Sequence, residues 1–169
     1  MLVLGGARSG KSRCGERLAE ESGLEPVYLA TGEPGDAEMA ARIAAHRARR
    51  GESWRTIEEP LELESALARE AAPGRALLVD CLTLWLSNIM AAGAAAEERI
   101  ARLAAAVARL PGLVIFVANE VGLGVVPETP LGRAFRDAQG RLNQAMTEVC
   151  GRVVLMVAGL PLVLKGGAA

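Results

Sequence analysis

The chain has 169 residues, 51% of them apolar, with 19 glycines and a net charge of -1. This length supports one domain with its own core, and the apolar content excludes a disordered protein. The longest apolar stretch, Val153–Leu164, contains Gly159 and Pro161 and is shorter than the roughly 20 residues of a membrane-spanning helix. The balanced charge and the few aromatic residues (two Trp, one Tyr, two Phe) argue against a nucleic-acid partner. No charged-then-apolar leader precedes the first predicted strand, so we expect a cytoplasmic protein.

Short apolar runs alternate with helical patterns along the whole chain. The predicted strands are Met1–Leu4, Val27–Ala30, Trp54–Ile57, Ala76–Val79, Leu113–Ala118, Val153–Val157 and Leu162–Leu164. The predicted helices are Ser12–Ser22, Ala37–Arg50 with Asp36 as its N-cap, about Pro60–Ala71, Leu82–Met90, Ala94–Leu110 and Leu131–Val149. Strands that are apolar on both faces are typical of a mostly parallel sheet covered by helices on both sides. We therefore expect a single α/β domain of the P-loop NTPase type over residues 1–165, with a frayed tail at 166–169.

Polar and glycine residues follow the ends of several predicted strands. Gly5–Ser12 follows the first strand, Thr31 the second, Asp80 the fourth, and Asn119 with Glu120 the fifth. In a parallel sheet, ligands bind outside the carboxyl ends of the strands. These residues therefore predict a binding site at one edge of the sheet.

The segment after the first strand carries the strongest motif of the chain. It satisfies the pattern G-x-x-x-x-G-K-[ST] between a strand and a helix, with the residues Gly5, Gly6, Ala7, Arg8, Ser9, Gly10, Lys11 and Ser12. In such a P-loop, backbone N–H groups and the helix N-terminus bind phosphate, the lysine reaches the β and γ oxygens, and the hydroxyl binds Mg²⁺. Asp80 fits the acidic partner of that Mg²⁺, although an ordinary solvated carboxylate is an equally simple reading of a strand end.

Lysine and histidine are rare in this chain. Among 19 basic residues only Lys11 and Lys165 are lysines, and His46 is the single histidine. No [NT]-K-x-D loop for guanine recognition accompanies the P-loop, which argues against a regulatory GTPase, and we expect Lys165 to be an ordinary surface residue. The three separated cysteines (Cys14, Cys81 and Cys150) predict small buried hydrophobic residues in a reducing compartment, without a disulfide or a zinc site.

His46 allows two interpretations. It continues the face of the predicted helix that carries Met39 and Ile43, and spacing alone favours a histidine that simply packs at a helix end. The alternative is a neutral nucleophile, because nearby arginines such as Arg49 lower the pKa of an imidazole and can also bind phosphate.

Five blocks together resemble the bifunctional adenosylcobinamide kinase/adenosylcobinamide-phosphate guanylyltransferase family of cobalamin biosynthesis. They are the P-loop, Arg42-Ile43-x-x-His46-Arg47, Trp54-Arg55-Thr56-x-Glu58, Asn119-Glu120-Val121-Gly122-x-Gly124-x-Val126-Pro127, and Gly132-Arg133-x-x-Arg136-Asp137-x-x-Gly140-Arg141-x-Asn143-Gln144. The resemblance covers nearly the whole chain in order. It implies ATP and GTP as substrates, Mg²⁺, adenosylcobinamide as the acceptor and a homotrimer. The high apolar content by itself favours a subunit interface.

The resemblance also implies roles for particular residues. His46 would attack the α-phosphorus of GTP and carry GMP to the phosphorylated substrate, with Lys11 acting at the P-loop. Nucleotide contacts are implied at Gly5, Gly6, Ala7, Arg8, Ser9, Gly10, Lys11, Ser12, Ala30, Thr31, Gly32, Arg47, Ala48, Arg49, Arg50, Glu58 and Asp80. Ser12 and Asp80 would hold the metal ion.

The last two blocks leave alternatives open. Asn119 and Glu120 could bind a metal-bound water or the corrin substrate, or they could belong to an ordinary glycine-rich loop. The four charged residues Arg133, Arg136, Asp137 and Arg141 share one helix face, which is typical of a solvated ion-paired surface, with a phosphate or subunit contact as the alternative. Two other functions also remain: a small-molecule kinase without a covalent nucleotide, and a nucleotide-dependent switch.

Overall fold

The computed structural model describes residues 1–33, 35, 37, 41, 44, 47–48, 50–51 and 53–167. Within the predicted helix after the second strand, the described residues Ala37, Ala41, Ala44, Arg47 and Ala48 are helical. The predicted N-cap and nucleophile of that helix, together with three of its neighbours, lie outside the described residues: Asp36, His46, Arg42, Ile43 and Arg49.

Strands and helices alternate in the order that the sequence predicts. The strands are β1 (Leu2–Gly5), β2 (Glu25–Ala30), β3 (Arg55–Glu58), β4 (Arg75–Asp80), β5 (Leu113–Asn119), β6 (Val153–Val157) and β7 (Leu160–Lys165). The labelled helices are α1 (Lys11–Glu21), α2 (Leu63–Glu70), α3 (Leu82–Ala91), α4 (Ala96–Val107) and α5 (Pro130–Val149).

One seven-stranded sheet, in the order β3-β2-β4-β5-β1-β6-β7, organises the described chain. The pairs from β3 to β6 are parallel, and only β7 pairs antiparallel, along β6. The predicted α/β fold with a mostly parallel sheet is confirmed. Because β1 lies between β5 and β6, the loop that follows it leaves the sheet at a central position.

Apolar cores lie on both faces of the sheet. On one face, side chains of α2, α3, α4 and α5 pack around the fully buried Trp85 and Phe116. On the other face α1 packs closely because Gly15 has no side chain, and a Cβ there would lie 2.7 Å from a methyl of Leu78. The sheet is thus covered on both sides, as its two-sided apolar strands predict.

Two boundaries differ from the sequence prediction for local reasons. Helix α2 begins at Leu63 instead of near Pro60, because the Glu59 carboxylate accepts hydrogen bonds from the backbone N–H groups of Leu61 (3.2 Å) and Glu62 (2.9 Å). Strand β7 is longer than predicted because the two-residue Ala158–Gly159 turn, with φ of 51° and 82°, closes a tight hairpin.

A group of paired charges lies at the amino ends of the parallel strands, and we call it the amino-edge cluster: Glu25, Arg55, Arg69, Glu70 and Arg75. Arg75 Nε lies 3.1 Å from the Glu25 carboxylate, and Arg75 Nη1 lies 3.4 Å from the Glu70 carboxylate. A hydrogen bond from Arg55 is the main reason why the pKa of the Glu70 carboxyl lies below its ordinary value. The cluster ties β2, β3, β4 and the end of α2 together.

The three cysteines lie in the interior of the protein. Cys14, Cys81 and Cys150 are buried and unpaired, which confirms the prediction that they are buried. Burial is the main cause that raises the pKa of the Cys14 thiol, so the folded environment disfavours its thiolate.

In the described part of the chain, no helix is both long and apolar enough to cross a membrane.

Lys165 is a surface residue, as the sequence predicts, but it also forms hydrogen bonds to a neighbouring helix. It is exposed, but its Nζ donates hydrogen bonds to the carbonyl oxygens of Thr147 (2.7 Å) and Glu148 (3.1 Å). These carbonyls belong to the last turn of α5, where a cation is favoured by the helix dipole. Lys165 therefore links β7 to the carboxyl end of α5.

Candidate active site

The P-loop connects the end of β1 to the first residue of α1. Two of its residues adopt left-handed backbone conformations, Arg8 with φ 57° and Gly10 with φ 92°. Glycine takes this conformation at little cost, whereas for Arg8 it is unfavourable unless its surroundings enforce it. The loop therefore has a defined curvature before α1 begins.

Neighbouring strands hold this loop on both sides. The backbone N–H of Glu120, after β5, donates to the carbonyl of Gly5 at 3.1 Å, and the N–H of Gly159 donates to the carbonyl of Ser9 at 3.1 Å. Gly5 is required for this packing, because a Cβ there would lie 2.4 Å from Ser9 Oγ and 2.8 Å from the Met156 carbonyl oxygen. The backbone of the P-loop is thus fixed from the β5 side and from the β6–β7 turn.

The amino end of α1 is open to an anion. Its first turn has no acidic side chain, and Gly10 at the N-cap offers no side-chain acceptor to the N–H groups. Lys11 Nζ donates to the Gly6 carbonyl oxygen at 3.1 Å and so lies across the loop. Unpaired N–H groups, the helix dipole and a lysine together form a phosphate-binding site.

The ends of β3, β2 and β4 form a row beside this loop. Ala30 is in register with Glu58 on one side and with Asp80 on the other. At about 4.8 Å per strand, β3 lies about 19 Å from β1, four places along the sheet. Glu58 is thus at the same edge as the P-loop but well separated from it.

Thr31, predicted as a nucleotide contact, is fully buried. Its hydroxyl donates to the Cys81 carbonyl oxygen at 2.7 Å and accepts from the Cys81 N–H at 2.9 Å. Asn88 on α3 donates to the Thr31 carbonyl oxygen at 2.8 Å. The Thr31 side chain therefore joins the ends of β2 and β4 and is not directed to solvent.

The predicted arginine contacts divide between two environments. Arg47 is exposed and forms an ion pair of 3.0 Å with Glu58. Arg50 is 9% exposed, lies 3.4 Å from the centre of the Tyr28 ring, and approaches Glu16 on α1 at 4.0 Å. The Arg50 guanidinium therefore packs between β2 and α1.

Asp80 and Lys11 act electrostatically on a common neighbour. The pKa of the Cys81 thiol is raised to about 11, mainly by burial and next by the Asp80 charge, while the Lys11 charge acts in the opposite direction. Burial also raises the pKa of Tyr28, with the Asp80 charge as the next cause. The end of β4 thus brings a carboxylate into the same electrostatic environment as the P-loop lysine.

A polar network lies beneath the loop that follows β5. The Asn119 N–H donates to Thr83 Oγ1 at 2.8 Å, and Asn143 Nδ2 donates to the Asn119 carbonyl oxygen at 3.1 Å. Gln139 donates to Asn143 Oδ1 at 2.9 Å, so the network extends from β5 into α5. Glu120 Oε1 accepts from the Gly122 N–H at 2.6 Å, which shapes the glycine-rich loop.

The charged face of α5 is used mainly for local contacts. Arg133 donates to the carbonyl oxygens of Pro127 (3.0 Å) and Glu128 (2.7 Å), and so fastens the glycine-rich loop to α5. Arg136 pairs with Asp137 at 2.9 Å, and Arg141 approaches Glu97 at 3.5 Å. These contacts agree with the ion-paired interpretation of this face and add a loop-holding role for Arg133.

Sequence reasoning missed three residues that organise the site: Thr83, Asn88 and Gly159. Asn88 had a detectable signal, since it is the single amide in the mostly apolar helix Leu82–Ala91. Gly159 is part of a two-residue hairpin turn, which the long predicted loop before β7 obscured. The role of Thr83 depends on the contact between the start of α3 and the end of β5, and no local sequence pattern predicts that contact.

The fold and the loop define a class of protein. A mostly parallel sheet with a glycine-rich phosphate loop between an interior strand and an open helix N-terminus is typical of a P-loop nucleotide-binding α/β protein. A solved structure from Pyrococcus horikoshii, the PH0250 protein, has the same fold with a TM-score of 0.54 at 10% identity, and the match covers 98% of this chain and 85% of that one.

Sequence comparison then gives the family. The model of the family described as "Cobinamide kinase / cobinamide phosphate guanyltransferase" (CobU) matches residues 1–164, and the chain belongs to this family of bifunctional transferases. The "Bifunctional adenosylcobalamin biosynthesis protein CobP" of Pseudomonas aeruginosa is 56% identical over 98% of this chain and 96% of that protein. The "Bifunctional adenosylcobalamin biosynthesis protein CobU" of Escherichia coli is 39% identical over 98% of this chain and 99% of that protein. The resemblance inferred from the five sequence blocks is confirmed.

Proposed function

We propose that this protein catalyses two successive reactions on adenosylcobinamide. In the first, the substrate hydroxyl oxygen attacks the γ-phosphorus of a nucleoside triphosphate, the bond to the β–γ bridging oxygen breaks, and the hydroxyl proton is lost. In the second, GMP from GTP is transferred to the new phosphate, which gives adenosylcobinamide-GDP and pyrophosphate. The observation that carries the proposal is the P-loop of a family member, with Lys11 lying across an open helix N-terminus.

Lys11 and the amino end of α1 are the phosphate-binding elements of this proposal. A lysine and oriented N–H groups neutralise the charge that develops on the phosphate oxygens as the bond to the leaving group breaks. The Ser12 hydroxyl and the Asp80 carboxylate are oxygen donors, the type that Mg²⁺ prefers, and Asp80 ends β4, which lies two places from β1 in the sheet. These two residues would hold Mg²⁺, which when bound neutralises phosphate charge.

We further propose that His46 carries GMP between GTP and the substrate. An imidazole nitrogen attacks the α-phosphorus, and the bond to the β-phosphate oxygen breaks as pyrophosphate leaves. An oxygen of the substrate phosphate then attacks the same phosphorus, the P–N bond breaks, and neutral His46 is regenerated. His46 is the single histidine of the chain, and arginine stays protonated, so no arginine nearby can substitute for it.

The nucleotide contacts that we retain are those whose side chains the described structure does not engage in buried contacts, together with Arg49, which lies outside the described residues. They are Gly5, Gly6, Ala7, Arg8, Ser9, Gly10, Lys11, Ser12, Ala30, Gly32, Arg47, Ala48, Arg49, Glu58 and Asp80. Two predicted contacts are left out. The Thr31 hydroxyl is used by the Cys81 backbone, and the Arg50 guanidinium is used by Tyr28 and Glu16.

A product assay with two labels tests the proposal. Purified protein is incubated with adenosylcobinamide and ATP labelled at the γ-phosphate, and the phosphorylated product is then incubated with GTP labelled at the α-phosphate. We expect both labels in the corrinoid product. The first label without the second indicates a simple kinase, and neither label, with slow nucleotide hydrolysis alone, indicates a switch. Either of these outcomes would contradict the two-reaction proposal.

We propose that the protein forms a homotrimer in the cytoplasm. Strand β7 is a sheet edge whose Leu160, Leu162 and Leu164 are 72%, 55% and 55% exposed, and edge strands with apolar side chains favour association with another chain. Three unpaired cysteines agree with a reducing compartment. Light scattering of wild type and Leu162→Glu tests the assembly, with a trimer mass for wild type and a smaller mass for the variant; a monomer mass for wild type would contradict it.

A further inference from the structure

A cavity adjoins the P-loop on the β6 side of β1, whereas Glu58 ends β3 on the other side of β1. It has a volume of about 630 Å³ and lies along α1 beside the β6–β7 turn. Among the described residues, Gly10, Arg13, Arg17, Met156 and Gly159 contribute to its wall. This volume is in the range of nucleotide and cofactor sites.

The cavity begins where bound phosphates would end. Gly10 belongs both to the P-loop and to the cavity wall, and a Cβ on Gly10 would lie 3.6 Å from the Cα of Gly159. The Gly159 N–H also donates to the carbonyl of Ser9, so the turn and the phosphate loop form one continuous backbone surface. A ligand with phosphates on the P-loop can therefore extend directly into this cavity.

The wall has the chemistry of a base-binding and ribose-binding site. Arg13 and Arg17 are both exposed and line the cavity. Arg17 approaches Glu21 at 3.8 Å and also interacts with Cys14 at the cavity wall. A guanidinium plane stacks on aromatic rings, and Met156 offers a polarisable apolar contact. Two carboxylates also line the cavity. Glu20 accepts a hydrogen bond from Trp54 Nε1 at 3.1 Å, and Glu16 lies 4.0 Å from Arg50, so both face a neighbouring donor of the protein.

We propose that this cavity, the α1 groove, binds the nucleoside of the triphosphate that donates the γ-phosphoryl group, whereas the guanine of GTP in the second reaction lies on the Glu58 side. The proposal rests on the two-reaction function proposed above. It assigns two nucleoside positions to one phosphate loop, on opposite sides of β1.

If the two nucleotides bind to the P-loop in opposite directions, both reactions can take place at the same point. With the nucleoside in the α1 groove, the triphosphate runs from β6 towards β4, and its γ-phosphorus lies on the Asp80 side of the loop. With guanine near Glu58 the triphosphate runs in the opposite direction, and the α-phosphorus lies on that same side. Strand order places β6 and β4 on opposite sides of β1, as this arrangement requires. The corrinoid acceptor can then be phosphorylated and guanylylated without leaving its place.

Kinetics of Arg13→Ala/Arg17→Ala separate the two nucleoside positions. We expect the KM for the γ-phosphoryl donor to rise about tenfold, since cation–π stacking contributes that order of affinity, while the KM for GTP in covalent GMP labelling changes less than about twofold. Arg102→Ala, an exposed arginine on α4, is the matched control and should leave both values unchanged. An unchanged donor KM, or an equal rise in both values, would overturn the two-position model.

Photolabelling with 8-azido-ATP tests the location directly. We expect cross-links in peptides from α1 or from the β6–β7 turn. Cross-links confined to residues 30–58 would place the donor nucleoside on the Glu58 side and overturn the proposal. Failure of the enzymatic function itself is distinguishable, because wild type would then transfer neither label to adenosylcobinamide, whereas photolabelling still reports where the nucleotide binds.

Discussion

The two edges of the sheet use charge in opposite ways. At the amino ends of the strands, Glu70 is about nine-tenths buried and contacts three arginines of the amino-edge cluster. At the carboxyl ends, the helix N-terminus at Gly10 has no side-chain acceptor, and Lys11 donates to a backbone carbonyl. Charges that satisfy one another stabilise the fold, whereas donors left available can bind a ligand.

Unfavourable backbone conformations and close contacts distinguish the carboxyl edge of the sheet. The carboxyl edge contains the left-handed Arg8 and Gly10 and the close approach at Gly5. These features cost free energy in the folded chain and are held by hydrogen bonds from neighbouring strands. Loss of an available donor at the carboxyl edge should therefore affect catalysis, and loss of a packing contact there should affect stability, whereas substitutions in the amino-edge cluster should affect stability alone.

Lys11→Ala should give the largest effect. We expect both phosphoryl transfer and GMP transfer to fall by about 10²–10³-fold, because a group that neutralises charge in the transition state is lost. The thermal midpoint should change little, since the lysine donates to one exposed carbonyl oxygen. Lys165→Ala is the matched control and should cost only about 0.5 kcal/mol of stability, with full activity. Equal activity of the two variants would contradict the claim that available donors at the carboxyl edge serve catalysis.

Gly5→Ala should destabilise the protein by about 3 kcal/mol, because its methyl would collide with Ser9 and the Met156 backbone. Gly6→Ala tests the same loop without a collision, since no atom lies within 4 Å of a Cβ there. Urea denaturation of both variants measures the difference. Equal stability of the two variants would show that close packing at Gly5 is not what holds the loop.

Glu70→Gln should destabilise the protein by about 2 kcal/mol at pH 7 and leave both activities unchanged. The folded-state pKa of Glu70 lies below the ordinary value of 4.5, so its contribution is present above that pH and is lost as pH falls through the folded-state pKa. Denaturation curves at pH 7 and at successively lower pH should therefore converge for wild type and variant. A constant difference across this range would exclude the carboxylate charge as its cause.

Thr31→Val should cost about 1 kcal/mol, since it leaves the buried Cys81 N–H without its hydroxyl acceptor. Thr31→Ser keeps the hydroxyl and should retain most of the stability. The KM for nucleotides should be similar in both variants if Thr31 acts by joining β2 to β4. A large rise in KM for Thr31→Val, without loss of stability, would instead support the nucleotide contact implied by the resemblance.

Elements of the fold that depend on local pattern were predictable from the sequence. The two-sided apolar runs indicate a parallel sheet, and the glycine loop before Lys11 indicates the phosphate site. The burial of Arg50 was not predictable, because it depends on Tyr28 and Glu16 from two other elements. The contact of Lys165 with the end of α5 depends likewise on where β7 lies. Spacing along one helix cannot show which partner a charged side chain will find.

Covalent transfer of GMP through His46 is the most specific step of the proposed function, and it can be tested directly. Wild type, His46→Ala and the control Arg141→Ala are incubated with GTP labelled at the α-phosphate, and the precipitated protein is counted after acid and base treatment. We predict acid-labile, base-stable label on wild type and Arg141→Ala and none on His46→Ala, which should still phosphorylate adenosylcobinamide. Label retained by His46→Ala would contradict the proposal that this histidine carries GMP.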